Sequence, residues 1–164
     1  MDKKLNLLSA ILVALCIFAA AIVYSLTRSQ HDFGDLSCEA NATFSYFNSL
    51  DRLAGSDDIQ LVLKINYVFL SGQKGVLILS GVANDGEKRF FVNRRINFTY
   101  TLQGDFYKFY YGEALHSPRD TLPENIYSYF FSSESSFYHI RYIDSNTLIF
   151  NSAYSPMFLC NVNS

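Results

Sequence analysis

Most signatures by which a chain of 164 residues declares a chemistry are missing here. There is no C-x-x-C and no H-x-x-x-H, and His31, His116 and His139 stand far apart, so no metal-ligand spacing exists. G-x-S-x-G and phosphate-cradling glycine loops are absent too. His116, Ser117 and Asp120 are hydrolase residue types, but three residues within one loop rarely make a triad, which is recognised by geometry. The chain is therefore not read as an enzyme, and no cofactor or metal is implied. Basic charge is scarce as well. From His31 onward ten Lys/Arg stand against fourteen Asp/Glu, a net charge of −4 with no basic stripe, which argues against nucleic-acid binding. Repeats and low-complexity stretches are lacking, and there is only one long apolar run.

That run, Leu5 to Leu26, is the first thing present. At about 1.5 Å per helical residue its 22 residues can cross a hydrocarbon core of ~30 Å, and Asn6, Ser9 and Ser25 are its only polar members. Lys3 and Lys4 precede it and a lone Arg28 follows, so the positive-inside bias puts the N-terminus in the cytoplasm and the bulk outside. The expected organisation is a cytoplasmic tail at 1–4, a transmembrane anchor at 5–26, a linker at 27–35 and an exported domain at 36–164. A cleaved signal peptide is the competing reading, with Ala19-Ala20-Ala21 as its small-residue site. Against it, the apolar stretch continues through Ile22 and Val23, and Tyr24 lands where an interfacial aromatic would sit.

Three cysteines remain to be placed. Cys16 falls inside the apolar run as a small filler, and Cys38 and Cys160 bracket the exported domain. In an oxidising compartment such a pair reads as a disulfide; two unpaired buried thiols are the alternative.

The exported part holds 25 of the 27 Phe and Tyr residues, a load that favours β structure in one domain. Leu36, Cys38, Ala40, Ala42, Phe44 and Tyr46 alternate on one face of a predicted strand, and Ile59, Leu61, Leu63, Ile65, Tyr67 and Phe69 on a second. Between them Asp51 to Asp58 breaks the pattern. Ser71–Gly75, Asn84-Asp85-Gly86 and Gln103-Gly-Asp105 are turn signals separating 76–82, 90–102 and 106–111. The stretch from His116 to Glu124 carries two prolines and reads as a loop. Thr121-x-x-Glu124 resembles a capping box opening a short helix across about 122–131. Strands at 137–143, 147–152 and 157–162 complete the chain. The predicted class is mainly β with one short helix: six or seven antiparallel strands in a curved sheet or partial barrel.

Between Phe90 and Leu102 the apolar parity runs Phe90, Val92, Ile96, Phe98, Tyr100 and Leu102, and Arg94 falls in the same register. A guanidinium aimed at an apolar face demands a carboxylate or several acceptors. A structural ion pair or a snorkelling arginine is one reading. The other is contact with a partner or an anionic ligand, with Phe98 and Tyr100 beside it. Asn41-Ala-Thr43 and Asn97-Phe-Thr99 match glycosylation acceptors but lie in predicted strands and are read as incidental.

The order of these pieces resembles the FidL-like membrane proteins of enterobacteria. The resemblance rests on the anchor, Cys38, Gly75-Val-Leu-Ile-Leu-Ser-Gly81, Arg94-Arg-Ile-Asn-Phe-Thr-Tyr100, Ser117-Pro-Arg-Asp120 and Pro156-Met-Phe-Leu-Cys160. It implies the bacterial inner membrane, with the C-terminal domain in the periplasm. It also implies association with membrane-anchored winged-helix regulators similar to ToxR or CadC, in which a small ToxS-like periplasmic partner stabilises the sensor domain. In some such relatives two chains jointly form a lipocalin-like barrel that accepts bile salts. Two functions are thus expected as alternatives: an accessory protein that binds a regulator's sensor domain, or a stand-alone periplasmic module for a small amphipathic ligand such as a bile salt. A third option is an envelope or adhesion-assembly factor, to which no residue pattern in the sequence points.

Overall fold

Strict alternation of side chains gives this domain strands with one apolar face each, and eight such strands close on themselves. The structure, a computed structural model, describes residues 12–24, 33–46, 59–131, 133–152 and 155–163. The chain divides into two units, Met1–Phe33 and Gly34–Ser164. In the first, residues 12–24 form a helix, α1, with no charged residue; Leu12, Val13, Leu15, Ile17, Phe18, Val23 and Tyr24 are all more than half exposed. Among the described residues no helix is long and apolar enough to cross a membrane. The remainder of the expected span, Leu5–Ile11 and Ser25-Leu26, lies outside the described residues, as do His31 and the expected break at Asp51–Asp58.

In the second unit the strands are β1 (Ser37–Tyr46), β2 (Ile59–Leu70), β3 (Lys74–Asn84), β4 (Arg89–Gln103) and β5 (Phe106–His116). Helix α2 (Glu124–Phe131) follows, then β6 (Ser135–Asp144), β7 (Thr147–Asn151) and β8 (Pro156–Asn163). Each pairs antiparallel with the next, and β8 returns to β1, so the sheet is a closed barrel. The expectation of six or seven strands in a partial barrel is corrected to eight in a closed one. Nothing in the local pattern distinguishes an open sheet from one whose accumulated twist and stagger bring its two ends together.

Closure is uneven. Ten residue pairs join β1 to β2, but only Ser37–Glu39 meets Asn161–Asn163 across the closing seam. The Cys38–Cys160 disulfide lies at that seam, with its Cα atoms 5.3 Å apart. β5 pairs with β6 only through Tyr107–Tyr110 and Ser135–Tyr138. Among the described residues the wall is therefore splayed in two places, beside β1 past Glu39 and beside β5 past Tyr111, whose N–H meets the Glu134 carbonyl.

The turns form as their residues dictate. At Asp85 one carboxylate oxygen accepts the backbone N–H of Glu87 and of Lys88, and Gly86 takes φ 86°, where a Cβ is unfavourable. Strands β2 and β3 approach so closely that a Cβ on Gly81 would strike the Val62 carbonyl oxygen. A Cβ on Gly75 would lie 2.6 Å from the Val68 carbonyl oxygen.

Three local expectations are corrected. Strand β5 continues to His116, which pairs with Arg94, so His116 is not in a loop. Helix α2 starts at Glu124 rather than near 122. The capping box does not form: the Thr121 hydroxyl accepts the Phe91 N–H of β4, and the Glu124 carboxylate goes to Arg94. Instead the Pro123 carbonyl accepts the N–H groups of Ile126 and Tyr127. Tertiary partners outcompete the local cap because β4 and Arg94 offer buried or charged counterparts for the same side chains.

Candidate functional site

One end of the barrel interior is filled. Phe69, Phe98, Tyr100 and Phe109 pack at ring-centroid distances of 5.2–6.2 Å, and all four are buried. An eight-stranded barrel is just wide enough to be filled by side chains or to hold one small ligand. Here both happen: beyond the packed aromatics a cavity of about 1000 Å³ remains. Its floor and walls come from Ile65 and Tyr67 of β2, Leu77 and Leu79 of β3, and Ile96 of β4. Tyr111 and Tyr138 continue the lining, and it reaches both splayed stretches of wall, at Asn41–Phe44 of β1 and Gly112–Ala114 of β5.

Helix α2 covers this space with an aromatic face. Tyr127, Phe130 and Phe131 line the cavity, and Phe44 of β1 meets Phe130 and Phe131 at 6.0 and 5.9 Å. What holds the helix to the barrel is Arg94. Its side chain is fully buried, its Nε donates to Asp120 Oδ2 at 3.2 Å, and its Nη1 donates to Glu124 Oε2 at 2.8 Å. Nη2 donates to the Leu122 carbonyl at 2.9 Å, and the guanidinium carbon lies 3.9 Å from the centroid of the Tyr127 ring. Asp120 is also buried; besides Arg94 it accepts the backbone N–H of Asn93 at 2.9 Å and of Leu122 at 3.1 Å. A buried cation is tolerated only when paired and hydrogen-bonded in this way.

Three phenol hydroxyls meet at the cavity. Tyr111 Oη lies 3.4 Å from both Tyr67 Oη and Tyr138 Oη, longer than an ordinary O–H···O bond. Burial pushes the Tyr67 and Tyr111 phenols well above their ordinary range, and Tyr138 adds to both shifts. These groups therefore stay neutral and act as donors and acceptors rather than charges.

Of the residues singled out in the sequence, Cys38 and Cys160 are joined, S–S 2.04 Å. Arg94 stands behind the cavity wall, while its partners Glu124 and Tyr127 face the cavity. Phe98 and Tyr100 belong to the packed end and do not line it. His116 does, beside Glu124 at 3.8 Å. Sequence reading missed the tyrosine trio and the aromatic face of α2. Their signal was present, because Tyr67 lies on the alternating inward face of its strand and Tyr127 and Phe131 are four apart on one helix face.

Fold and site together define a small antiparallel barrel whose half-filled interior is covered by a helix. Residues 81–160, from the middle of β3 to Cys160 in β8, match the family model described as FidL-like putative membrane protein. Over that stretch the chain is similar to the FidL-like family, the resemblance that the order of its motifs gives. The match takes in Arg94, Asp120 and all of α2, and leaves out Cys38 and Tyr67. Comparison with curated proteins returns no match.

Proposed function

We propose that this chain is a single-pass inner-membrane protein whose barrel binds an amphipathic small molecule in the cavity beneath α2. The observation that carries this reading is the cavity itself. At about 1000 Å³ it reaches the upper end of the size at which pockets enclose a drug-sized ligand, and it is lined by aromatic and aliphatic side chains with a few convergent hydroxyls. The charge-free apolar helix at 12–24 supports the anchoring part of the reading, and Lys3 and Lys4 support its orientation. The role is binding, not catalysis. Full-length protein in lipid nanodiscs should take up a phenylalkyl amphiphile with one-to-one stoichiometry by calorimetry. Substituting Ile96→Trp, which fills the cavity from β4, should abolish the uptake while leaving the circular dichroism spectrum unchanged.

A second reading is favoured by the splayed wall. Among the described residues, strand β1 past Glu39 has no ladder partner on its β8 side, and strand β5 past Tyr111, whose N–H still meets the Glu134 carbonyl, has none on its β6 side. Such edges accept an added strand. The partner in this reading is the sensor domain of a membrane-anchored winged-helix regulator, ToxR-like or CadC-like, which the chain would stabilise. Because the barrel closes with one chain, such a partner would add to it rather than complete it. Co-purification from membranes should retain the regulator. A regulator half-life unchanged by deletion of this chain would sink the idea.

A further inference from the structure

We infer that the cavity selects an amphiphile with a cationic or uncharged head and rejects an anionic one; this rests on the cavity-binding reading above. Among the described residues no lysine or arginine lines the space. The arginine next to it among the described residues, Arg94, is fully engaged: Asp120 takes Nε, Glu124 takes Nη1, the Leu122 carbonyl takes Nη2, and the Tyr127 ring covers its face. His116 in the lining stands beside Glu124 at 3.8 Å. An anion in the cavity could reach the guanidinium only by displacing Glu124, and it would then sit beside the buried Asp120 carboxylate. Among the described residues four carboxylates stand in and beside the lining, Glu113, Glu124 and Glu134 within it and Asp120 behind, against the Arg94 guanidinium.

The charges are also placed where a head group would sit. Glu113 is at the splayed part of β5, and Glu134 is beside it, where its carbonyl accepts the Tyr111 N–H at 3.0 Å. Among the described residues neither carboxylate has an ion-pair partner, and both are exposed at the mouth. Deeper in, aromatic faces take over: Tyr127, Phe130 and Phe131 of α2, Phe44, Tyr138 and Phe158. Aromatic faces attract organic cations, most strongly where water is excluded, and the Arg94 guanidinium over Tyr127 already uses one of them in this way. At the floor, Tyr67 and Tyr138 are more than nine-tenths buried, and among the described residues their hydroxyls meet that of Tyr111 at 3.4 Å and interact with each other. They retain capacity for a hydroxyl or ammonium of the ligand. The gradient from carboxylates at the mouth, through aromatic faces, to phenols at the floor fits a hydrophobic amine or quaternary ammonium compound.

The test uses three probes with one body, a phenylalkyl trimethylammonium, the matching alcohol and the matching carboxylate. Each is titrated into full-length protein in zwitterionic nanodiscs, with empty nanodiscs as the blank. The ammonium probe should bind tightest and the carboxylate weakest. Glu113→Gln with Glu134→Gln, both at exposed positions that the fold does not rely on, should weaken the ammonium probe roughly three- to tenfold and leave the alcohol unchanged. Raising the salt should weaken the ammonium probe and not the alcohol. A carboxylate that binds as well as the ammonium overturns the inference and leaves the cavity reading standing. If none of the three binds to protein whose disulfide and circular dichroism are intact, both fall.

Discussion

Arg94 shows how much energy one residue can concentrate. Replacing it with methionine keeps the length of the side chain but leaves Asp120, only 1% exposed, without its counter-ion. Removing one member of a buried pair costs about 3–5 kcal/mol, so Arg94→Met should shift the urea midpoint strongly downward. Pairing that change with Asp120→Asn should recover part of the loss in a double-mutant cycle; additive losses would mean the two groups are not coupled. The tyrosines set the alkaline limit. Folding raises the pKa of Tyr67 and Tyr111 above 10.0, so the folded state holds those protons more tightly than the unfolded chain. Their contribution is fully present below pH about 10 and is lost as pH rises through and beyond that value. Absorbance at 295 nm should show these two phenols ionising after the surface tyrosines, together with unfolding. The inward register of Arg94 was legible in the alternation from Phe90 to Leu102. Its partners were not, because Asp120 and Glu124 lie 26 and 30 positions further on and nothing local links them to β4.

At the scale of elements, the agreement between sequence and strand is close where a period of two is unbroken. β1, β2 and β4 fall within one or two residues of their expected bounds, and the three turns expected around Gly72, Gly86 and Gly104 lie there. Disagreement concentrates where an element is held by something distant. Thr121 and Glu124 have the spacing of a cap, yet one bonds β4 and the other the buried arginine, and α2 begins two residues late. The glycines of β3 are an element-level constraint as well. Gly81→Ala would drive a methyl into the backbone of β2, which cannot yield as a flexible side chain could. It should destabilise the barrel by about 1–3 kcal/mol, the usual penalty of overpacking, and more if the β2–β3 ladder shifts. The same change at Gly104, where nothing lies within 4 Å, meets backbone strain only, at φ +63°. Urea denaturation of both variants should show the larger loss at Gly81.

For the whole molecule the weak point is the seam. Only three residue pairs join β8 to β1, and the disulfide at that point closes a separation of 122 residues. In the chain-entropy model such a bond is worth on the order of 4–5 kcal/mol. Cys38→Ser should lower the thermal midpoint and raise proteolysis near β1 and β8. Equal midpoints with and without reductant would show that the seam holds by itself. Composition, the single apolar run, the strands, the turns and the inward face of each strand follow from the sequence alone, because each depends on neighbours within a few positions. Closure into one barrel, the capture of Arg94 by α2, and the void left beside the packed aromatics belong to the tertiary structure. They depend on which distant strands meet, on how far the stagger carries β8 around to β1, and on where side-chain volume falls short of the space the barrel encloses. No local pattern encodes these quantities.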